Sequence, residues 1–338
     1  MKFRSTAIIA GTLLLFSAGM ASAADATWRY VGVINSAHDY AQIMIKGFKK
    51  VEERTGGALK INYVSYGETP YKPVDALTLL RDGLVEMSEW LPSYNAATYP
   101  LLAGPELPFV MPKWEQPAAL QKVAIAAWAT PTIKAYKQNV LNQHGSVNVM
   151  TVFYDPINLW FAEPITDIAA MKGKKVRATS PEQAELLTAL GASPVNIAAG
   201  DAYTGLQRGV INGIVTGAAA VVSFKWDEVL KSGFATNVLM SSTSMLVSKK
   251  ALDSLPEGTR KILLEEMARA EAEIHAFMPG NYTAKIKQLR DKGVVITEPS
   301  PAMYQQFRQF AVNSVHPNWA KRAGGDAQKM LAEIADAK

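Results

Sequence analysis

Short apolar runs alternate with amphipathic helical stretches along most of this chain. The run WRYVGVI precedes a stretch in which Tyr40, Met44 and Phe48 recur at helical spacing, and ALKINYV then alternates apolar with polar residues. The same order of strand and helix returns after VNVMTVFY in the middle of the chain. Alternation of this kind predicts an α/β fold whose sheets have substantial parallel character.

The length of the chain, 338 residues, is typical of two lobes rather than one. The sequence has no stretch rich in Pro, Gly and Ser that could act as a single flexible linker. We therefore expect the lobes to be joined by several close crossings, as in a hinged clamshell. A long amphipathic stretch begins after Pro256, and Pro279 is expected to kink or interrupt it.

The first residues have the pattern of an export signal. Lys2 and Arg4 supply a basic end, residues 7–19 form an apolar stretch too short to span a bilayer, and residues 21–23 (ASA) match a cleavage site. We therefore expect residues 1–23 to be a cleaved signal peptide and the mature protein to be periplasmic.

Composition excludes several classes of function. The sequence has no cysteine, so disulfides, thiolate nucleophiles and cysteine-bound metals are impossible. The net charge is only +5, and basic residues do not cluster in the way that nucleic-acid binding requires. The four histidines are dispersed, and no nucleophile elbow, HExxH motif or phosphate loop occurs. We therefore predict no enzyme activity, no catalytic residues, no metal, no cofactor and no nucleic-acid partner.

Arg177 stands at the end of a strand-like run, GKKVRAT, just before a helix that Ser180 and Pro181 begin. A guanidinium stays charged when it is buried and offers two parallel N–H groups to a carboxylate. An arginine in this position is therefore either a solvated surface charge or the anchor for an anionic ligand.

Seven segments, taken in order, resemble the extracytoplasmic solute-binding proteins of tripartite ATP-independent periplasmic (TRAP) transporters, the DctP-like family. They are KKVEERTGGALKINYV, LLRDGLVEMSEW, GPELPFV, DIAAMKGKKVRA, LLTALGASPV, AYTGLQRGVINGIVTG and VSKKALDSLPEGTRKILLEE. The resemblance implies a two-lobed periplasmic-binding-protein clamshell whose lobes are joined by strands and a long helix. Such a protein captures an organic acid and delivers it to the permease subunits of the transporter in the membrane.

The resemblance also suggests how the chain divides. Residues 24–150 are expected to form mainly lobe I, and residues 151–240 mainly lobe II. Residues 241–338 are expected to supply crossover segments and C-terminal helices that pack on both lobes. A periplasmic ligand sensor built on the same clamshell, or an enzyme, is the competing interpretation of such a fold.

In the family that the chain resembles, the arginine at the position of Arg177 pairs with the ligand carboxylate. Thr216 stands where many relatives have a ligand-holding asparagine, and Ile157 stands where sialic-acid-binding relatives have a second arginine. The missing second charge favours a monocarboxylate with an aromatic or apolar body. A C4-dicarboxylate of the same transport system is the alternative.

Further candidate ligand contacts are aromatic, polar or small residues in segments expected near the cleft. Aromatic rings would form one wall, a small residue would leave room, and polar groups close to a helix N-terminus favour an anion. These candidates are Trp90, Tyr154, Trp160, Ala199, Asn35 and His38.

Overall fold

Two β-sheets flanked by helices form the protein. The structure, a computed structural model, describes residues 26–111 and 117–337. The predicted signal peptide lies outside the described residues. Within those residues, no helix combines the length and apolar character needed to cross a membrane. The predicted α/β class is confirmed.

The strands divide between the two sheets in an order that differs from their order in the chain. They are β1 (Ala26–Gly32), β2 (Leu59–Ser65), β3 (Met87–Trp90), β4 (Ser146–Phe153), β5 (Ile157–Phe161), β6 (Lys175–Arg177), β7 (Ser193–Val195), β8 (Gly213–Gly217), β9 (Ser232–Leu239), β10 (Ser242–Ser248) and β11 (Val295–Thr297). The first sheet has the order β2-β1-β3-β10-β4, and the second has the order β11-β9-β5-β8-β6-β7. We call the part built on the first sheet lobe I and the part built on the second lobe II.

Helices cover both sheets. They are α1 (Asp39–Arg54), α2 (Ala76–Arg81), α3 (Pro117–Trp128), α4 (Pro131–Gln143), α5 (Pro181–Ala189), α6 (Ala199–Gln207), α7 (Ala218–Ser223), α8 (Lys249–Ser254), α9 (Glu257–Asp291), α10 (Pro301–Phe310), α11 (His316–Ala323) and α12 (Ala327–Asp336). A π-helical turn, Ala311–Val315, separates α10 from α11.

The chain passes between the lobes three times. It leaves the first sheet between Phe153 and Ile157 and returns to it between Leu239 and Ser242. The third passage is α9, a single helix of 35 residues. Two strand crossings and one long helix therefore connect the two sheets, and a hinge motion has to bend all three and move the C-terminal helices that follow them.

Helix α9 continues through Pro279, so of the two expected effects of this proline, a kink or an interruption, the interruption does not occur. Proline inside a helix costs about 3 kcal/mol because one backbone hydrogen bond is lost and the ring crowds the preceding turn. Before the proline, residues such as Ile274 are buried in the core of lobe I, and after it Ile286 is buried in the core of lobe II. Burial on both sides offsets the cost of the proline.

The C-terminal helices contact both lobes. The indole N–H of Trp319 on α11 donates to the Pro100 carbonyl of lobe I at 2.7 Å. Arg322 on the same helix forms an ion pair of 2.8 Å with Glu182 on α5 of lobe II. These helices therefore fasten one lobe to the other on the side of α4 and α5.

Close packing of β8 against β5 depends on a glycine. A β-carbon at Gly213 would lie 2.5 Å from the Trp160 carbonyl oxygen and 2.8 Å from the Phe161 ring. A backbone carbonyl inside a paired strand has no room to move away. Gly280, on the exposed side of α9, has no neighbour within 4 Å of the same position.

We predict opposite effects for alanine at these two glycines. Gly213→Ala should lower the free energy of unfolding by about 1–3 kcal/mol because it overpacks the second sheet. Gly280→Ala should raise it by about 0.5–1 kcal/mol because alanine loses less backbone entropy in a helix. Urea denaturation of both variants measures the two shifts, and equal shifts would contradict this account of the packing.

Candidate ligand-binding cleft

A cavity of about 70 Å³ lies between the lobes. Both sheets direct the carboxyl ends of parallel strands towards it, which is where open α/β sheets bind ligands. Its lining residues come from loops of lobe I, from the two strand crossings and from lobe II: Val33, Ile34, Leu91, Tyr94, Tyr154, Asp155, Ile157, Arg177, Thr179, Gln183, Ala199, Val215, Thr216, Gly217, Ala220, Phe224, Trp226 and Ser241. In the described part of the chain, no group of three or more His, Asp or Glu side chains is placed to hold a metal ion.

Arg177 presents a buried guanidinium to this cavity. It is the last residue of β6, and only 4% of it is exposed. Its Nε–H donates to the Ile197 carbonyl at 2.8 Å, and its guanidinium hydrogen-bonds the hydroxyl of Tyr94 from lobe I. Among residues 26–111 and 117–337, no carboxylate lies within 4 Å of it. The cation is thus buried with neutral protein partners.

Tyr94 remains a neutral phenol beside this cation. Burial raises the pKa of its hydroxyl, and the positive charge of Arg177 only partly opposes that rise. Because Tyr94 belongs to lobe I and Arg177 to lobe II, their hydrogen bond joins the lobes across the cavity.

Asp155 places a carboxylate on the same cavity, in the crossing between β4 and β5. Only 2% of it is exposed, and its Oδ2 accepts the N–H of Ala219 at 2.9 Å. Gly217 is required next to it because a β-carbon there would overlap the carboxylate. Burial raises the pKa of Asp155 to about 6, so the group is mostly ionised at neutral pH.

Tyr154 is held by a fully buried carboxylate behind the cavity wall. Its hydroxyl donates to Glu89 Oε1 at 2.6 Å, and the hydroxyls of Tyr40 and Thr243 donate to the same oxygen. The other oxygen, Oε2, accepts the N–H of Val33 at 2.6 Å. Glu89 therefore accepts hydrogen bonds from the loop after β1, from the first strand crossing and from β10.

Four of the eight predicted ligand contacts line the cavity, and they come from different segments of the chain. They are Arg177, Tyr154, Thr216 and Ala199. Thr216 belongs to β8, and Ala199 is the first residue of α6.

Trp90 and Trp160 take core positions instead of lining the cavity. Successive side chains on a strand point to opposite faces, and Leu91 and Ile157 already occupy the cavity face of their segments. Trp90 is thus in the core of lobe I, and its indole N–H donates to Asn95 Oδ1 at 2.8 Å. Trp160 is in the core of lobe II, where its N–H donates to a backbone carbonyl at 2.9 Å.

Asn35 and His38 also lie outside the cavity lining and have structural partners. Asn35 Nδ2 donates to the Ser223 carbonyl at 3.0 Å, which links the loop after β1 to the end of α7 in the other lobe. His38 is buried at the start of α1, where its Nδ1 accepts the N–H of Tyr40. Burial lowers the pKa of His38 to about 4, so this histidine is neutral at physiological pH.

An aromatic wall is present, and one of its four rings, Tyr154, is among the eight predicted contacts. Phe224 and Trp226 stack with ring centres 4.8 Å apart and an angle of 12° between their planes. Both line the cavity together with Tyr94 and Tyr154. Helix α7 ends at Ser223 and a separate helical turn covers Trp226–Glu228, so no single helical period relates the two rings.

Another buried carboxylate, Glu106, accepts hydrogen bonds from the start of β10, just after the second strand crossing. Glu106 Oε1 accepts both the N–H of Ser242 at 2.7 Å and its hydroxyl at 2.9 Å. The preceding residue, Ser241, lines the cavity. Burial raises the pKa of Glu106 from its ordinary value near 4.5 to about 7.

We predict that Glu106 makes the fold less stable as pH rises. A carboxyl whose pKa is higher in the folded state contributes its stability below the unfolded pKa and loses it as pH rises through the folded pKa. The free energy of unfolding should therefore fall between pH 4.5 and pH 7, by up to about 3 kcal/mol from this group.

Glu106→Gln should flatten this fall, because the amide keeps an acceptor for Ser242 and cannot ionise. Urea denaturation at pH 4.5 and pH 7.5 gives the comparison. A parallel Glu298→Gln variant, which removes an exposed carboxylate, is the control. An unchanged pH dependence in Glu106→Gln would show that Glu106 is ionised throughout.

Comparisons with known proteins converge on one family. The family model for bacterial extracellular solute-binding protein, family 7 (DctP), matches residues 32–322. The ectoine-binding periplasmic protein TeaA of Halomonas elongata is 24% identical over 100% of this chain and 96% of its own length.

Solved structures show the same fold. A Bordetella pertussis extracytoplasmic solute receptor that binds pyroglutamic acid, DctP7, is 20% identical and has a TM-score of 0.82, covering 92% of this chain and 99% of the receptor. A TRAP periplasmic solute-binding protein from Shewanella oneidensis with bound succinate is 19% identical and also has a TM-score of 0.82, covering 93% and 99%.

Proposed function

The chain belongs to family 7 of the bacterial extracellular solute-binding proteins, the DctP family, and we propose that it captures a monocarboxylate with an aromatic or apolar body. Members of this family are solute receptors of transporters and not enzymes. The observation that carries the proposal is the buried guanidinium of Arg177, which faces the cavity between the lobes with neutral protein partners.

A carboxylate ligand satisfies Arg177 in a way that its protein partners do not. Burying a charge without a counter-ion is costly, and a guanidinium can bind both oxygens of a carboxylate at once. The remaining lining is mostly aliphatic and aromatic, so it suits a compact apolar body behind that carboxylate. The solved receptors bind pyroglutamic acid and succinate, both of which are carboxylic acids.

The charges of the cavity favour one carboxylate over two. Arg177 is the single Lys, Arg or His among the described residues that line it. Ile157 contributes an apolar side chain, and Asp155 contributes a negative charge. A second carboxylate on the ligand would meet apolar surface or a like charge, which costs free energy.

Binding and release follow from the three connections between the lobes. When the lobes separate, the Tyr94 to Arg177 and Asn35 to Ser223 hydrogen bonds break, and the cavity opens to solvent. When they close on a carboxylate, water is excluded from the ion pair and the ligand selects the closed state. The closed form then delivers the acid to the permease subunits of a TRAP transporter. Export by the signal peptide of residues 1–23 brings the protein to the periplasm.

We predict that Arg177→Ala weakens carboxylate binding by about 2–5 kcal/mol, which is roughly 30- to 4000-fold in Kd. Arg177→Lys should give a smaller loss because it keeps the charge but not the two-point geometry. Calorimetry with the acid that binds best measures both. Arg208→Gln, which removes an exposed arginine of the same lobe, should leave Kd unchanged. Full affinity in Arg177→Ala would disprove the carboxylate anchor.

A thermal-shift screen separates the two ligand classes. Monocarboxylates with apolar or aromatic bodies should raise Tm more than C4-dicarboxylates of similar size at equal concentration, because ligand binding stabilises the folded state by mass action. Succinate and 4-hydroxybutyrate are a suitable pair, because both have a four-carbon chain and only succinate carries a second carboxylate. If dicarboxylates alone raised Tm, the protein would be a C4-dicarboxylate receptor.

A further inference from the structure

The polar groups that line the cavity differ in what they can offer a ligand. On the side of β6 and α5 they are donors. Arg177 is a donor only, and Gln183 uses its amide oxygen to accept both the N–H and the hydroxyl of Thr179 at 3.0 Å. The amide NH₂ of Gln183 is therefore the part of that side chain left for a ligand. This side of the cavity is suited to a carboxylate.

In the β4–β5 crossing itself the polar groups are acceptors, whereas the hydroxyls of Thr216 and Ser241 elsewhere in the lining can donate or accept. Asp155 is an ionised carboxylate at neutral pH and can only accept hydrogen bonds. The Tyr154 hydroxyl donates its hydrogen bond to Glu89 behind the cavity wall, so it offers the ligand no donor. Two different residues, each with its own partners, thus offer no donor to the ligand here.

The two sides are separated by strand β8. Arg177 pairs with Ile214 of β8 on one side, whereas the Asp155 carboxylate lies against Gly217. In the described residues no ion pair joins Arg177 to Asp155, so the cation and the anion line the cavity at separate positions. The carboxylate of a ligand is attracted to the first and repelled by the second.

We infer that the ligand carries an N–H or O–H donor, remote from its carboxylate, that binds Asp155. The inference rests on the proposed function, because it takes the carboxylate to be at Arg177. It narrows the ligand class from monocarboxylates in general to amino acids, hydroxy acids and related acids whose donor is several bonds from the carboxylate.

The hydrogen bond that Asp155 accepts at the start of α7 does not explain why its carboxylate lines the cavity. The amides of Ala218 and Ala219 stabilise the carboxylate, but they do not neutralise it. In the described residues, no Lys, Arg or His lies within 4 Å of it. A ligand without a donor would cover this charge and remove its water without replacing the hydrogen bonds, which is the costly case for a buried polar group.

Two matched sets of acids test the inference on the wild-type protein. In the open-chain set, 4-aminobutyrate and 4-hydroxybutyrate carry a donor, and pentanoate replaces it by a methyl group of similar size. In the aromatic set, 4-hydroxybenzoate carries a donor, and 4-methylbenzoate does not. In whichever set binds to the protein, calorimetry should give a Kd at least tenfold lower for the donor-bearing acids than for the donor-free acid of the same set. The amino and hydroxy acids distinguish a cationic donor from a neutral one.

Equal or tighter binding of the donor-free acids would overturn the inference and leave the proposed function in place. So would a result in which acids of other skeletons bind and all of them lack a remote donor. If no carboxylate of any kind bound, the proposed function itself would fail, and the inference with it. Binding restricted to donor-bearing acids of another carbon skeleton would support the inference.

Asp155→Asn supplies the second test. The variant keeps an acceptor for Ala219 but loses the negative charge, so the preference for 4-aminobutyrate over pentanoate should fall several-fold or more. Glu266→Gln is the matched control, since it removes a buried carboxylate that pairs with Arg54 outside the cavity. An unchanged preference in Asp155→Asn would place the ligand's donor elsewhere. If Asp155→Asn failed to fold, the acid series on the wild-type protein would still decide.

Discussion

The buried guanidinium of Arg177 is the interaction on which the rest of the cleft depends. In the described part of the chain this buried cation has a carbonyl and a phenol as partners and no carboxylate, so an anion would satisfy it better. Because the phenol belongs to the other lobe, the same group connects ligand binding to closure. In the proposed function, ligand affinity and lobe closure thus both follow from one charge that has no carboxylate partner in the described residues.

A second carboxylate, Glu89, gives the cavity wall its rigidity. It receives donors from the loop after β1, from helix α1, from the first strand crossing and from β10. Tyr154 is therefore held in one orientation before a ligand arrives, and less conformational entropy is lost on binding. Glu106 does the same for the second strand crossing through Ser242. Both crossings that bend in a hinge motion are anchored on buried acids of lobe I.

The sequence predicted the fold class and the strand-to-helix position of Arg177 because both depend on local patterns. Alternating strands and helices determine the class, and the strand-to-helix position of Arg177 is readable from its neighbours. Trp90 and Trp160 lie in the lobe cores and not in the cavity lining, because the face of a strand that points to the cleft depends on how the sheets pair. Asn35 forms a hydrogen bond to Ser223, 188 residues away, which no local pattern encodes. Asp155 was missed for the same reason, since its neighbours Gly217 and Ala219 lie on another strand and helix.

The most direct measurement is a crystal structure of the protein with the acid that raises its melting temperature most. The account predicts that both carboxylate oxygens of the ligand lie about 2.7–2.9 Å from guanidinium nitrogens of Arg177, between the two lobes. A ligand whose carboxylate binds elsewhere, while Arg177 keeps only Ile197 and Tyr94 as partners, would contradict it.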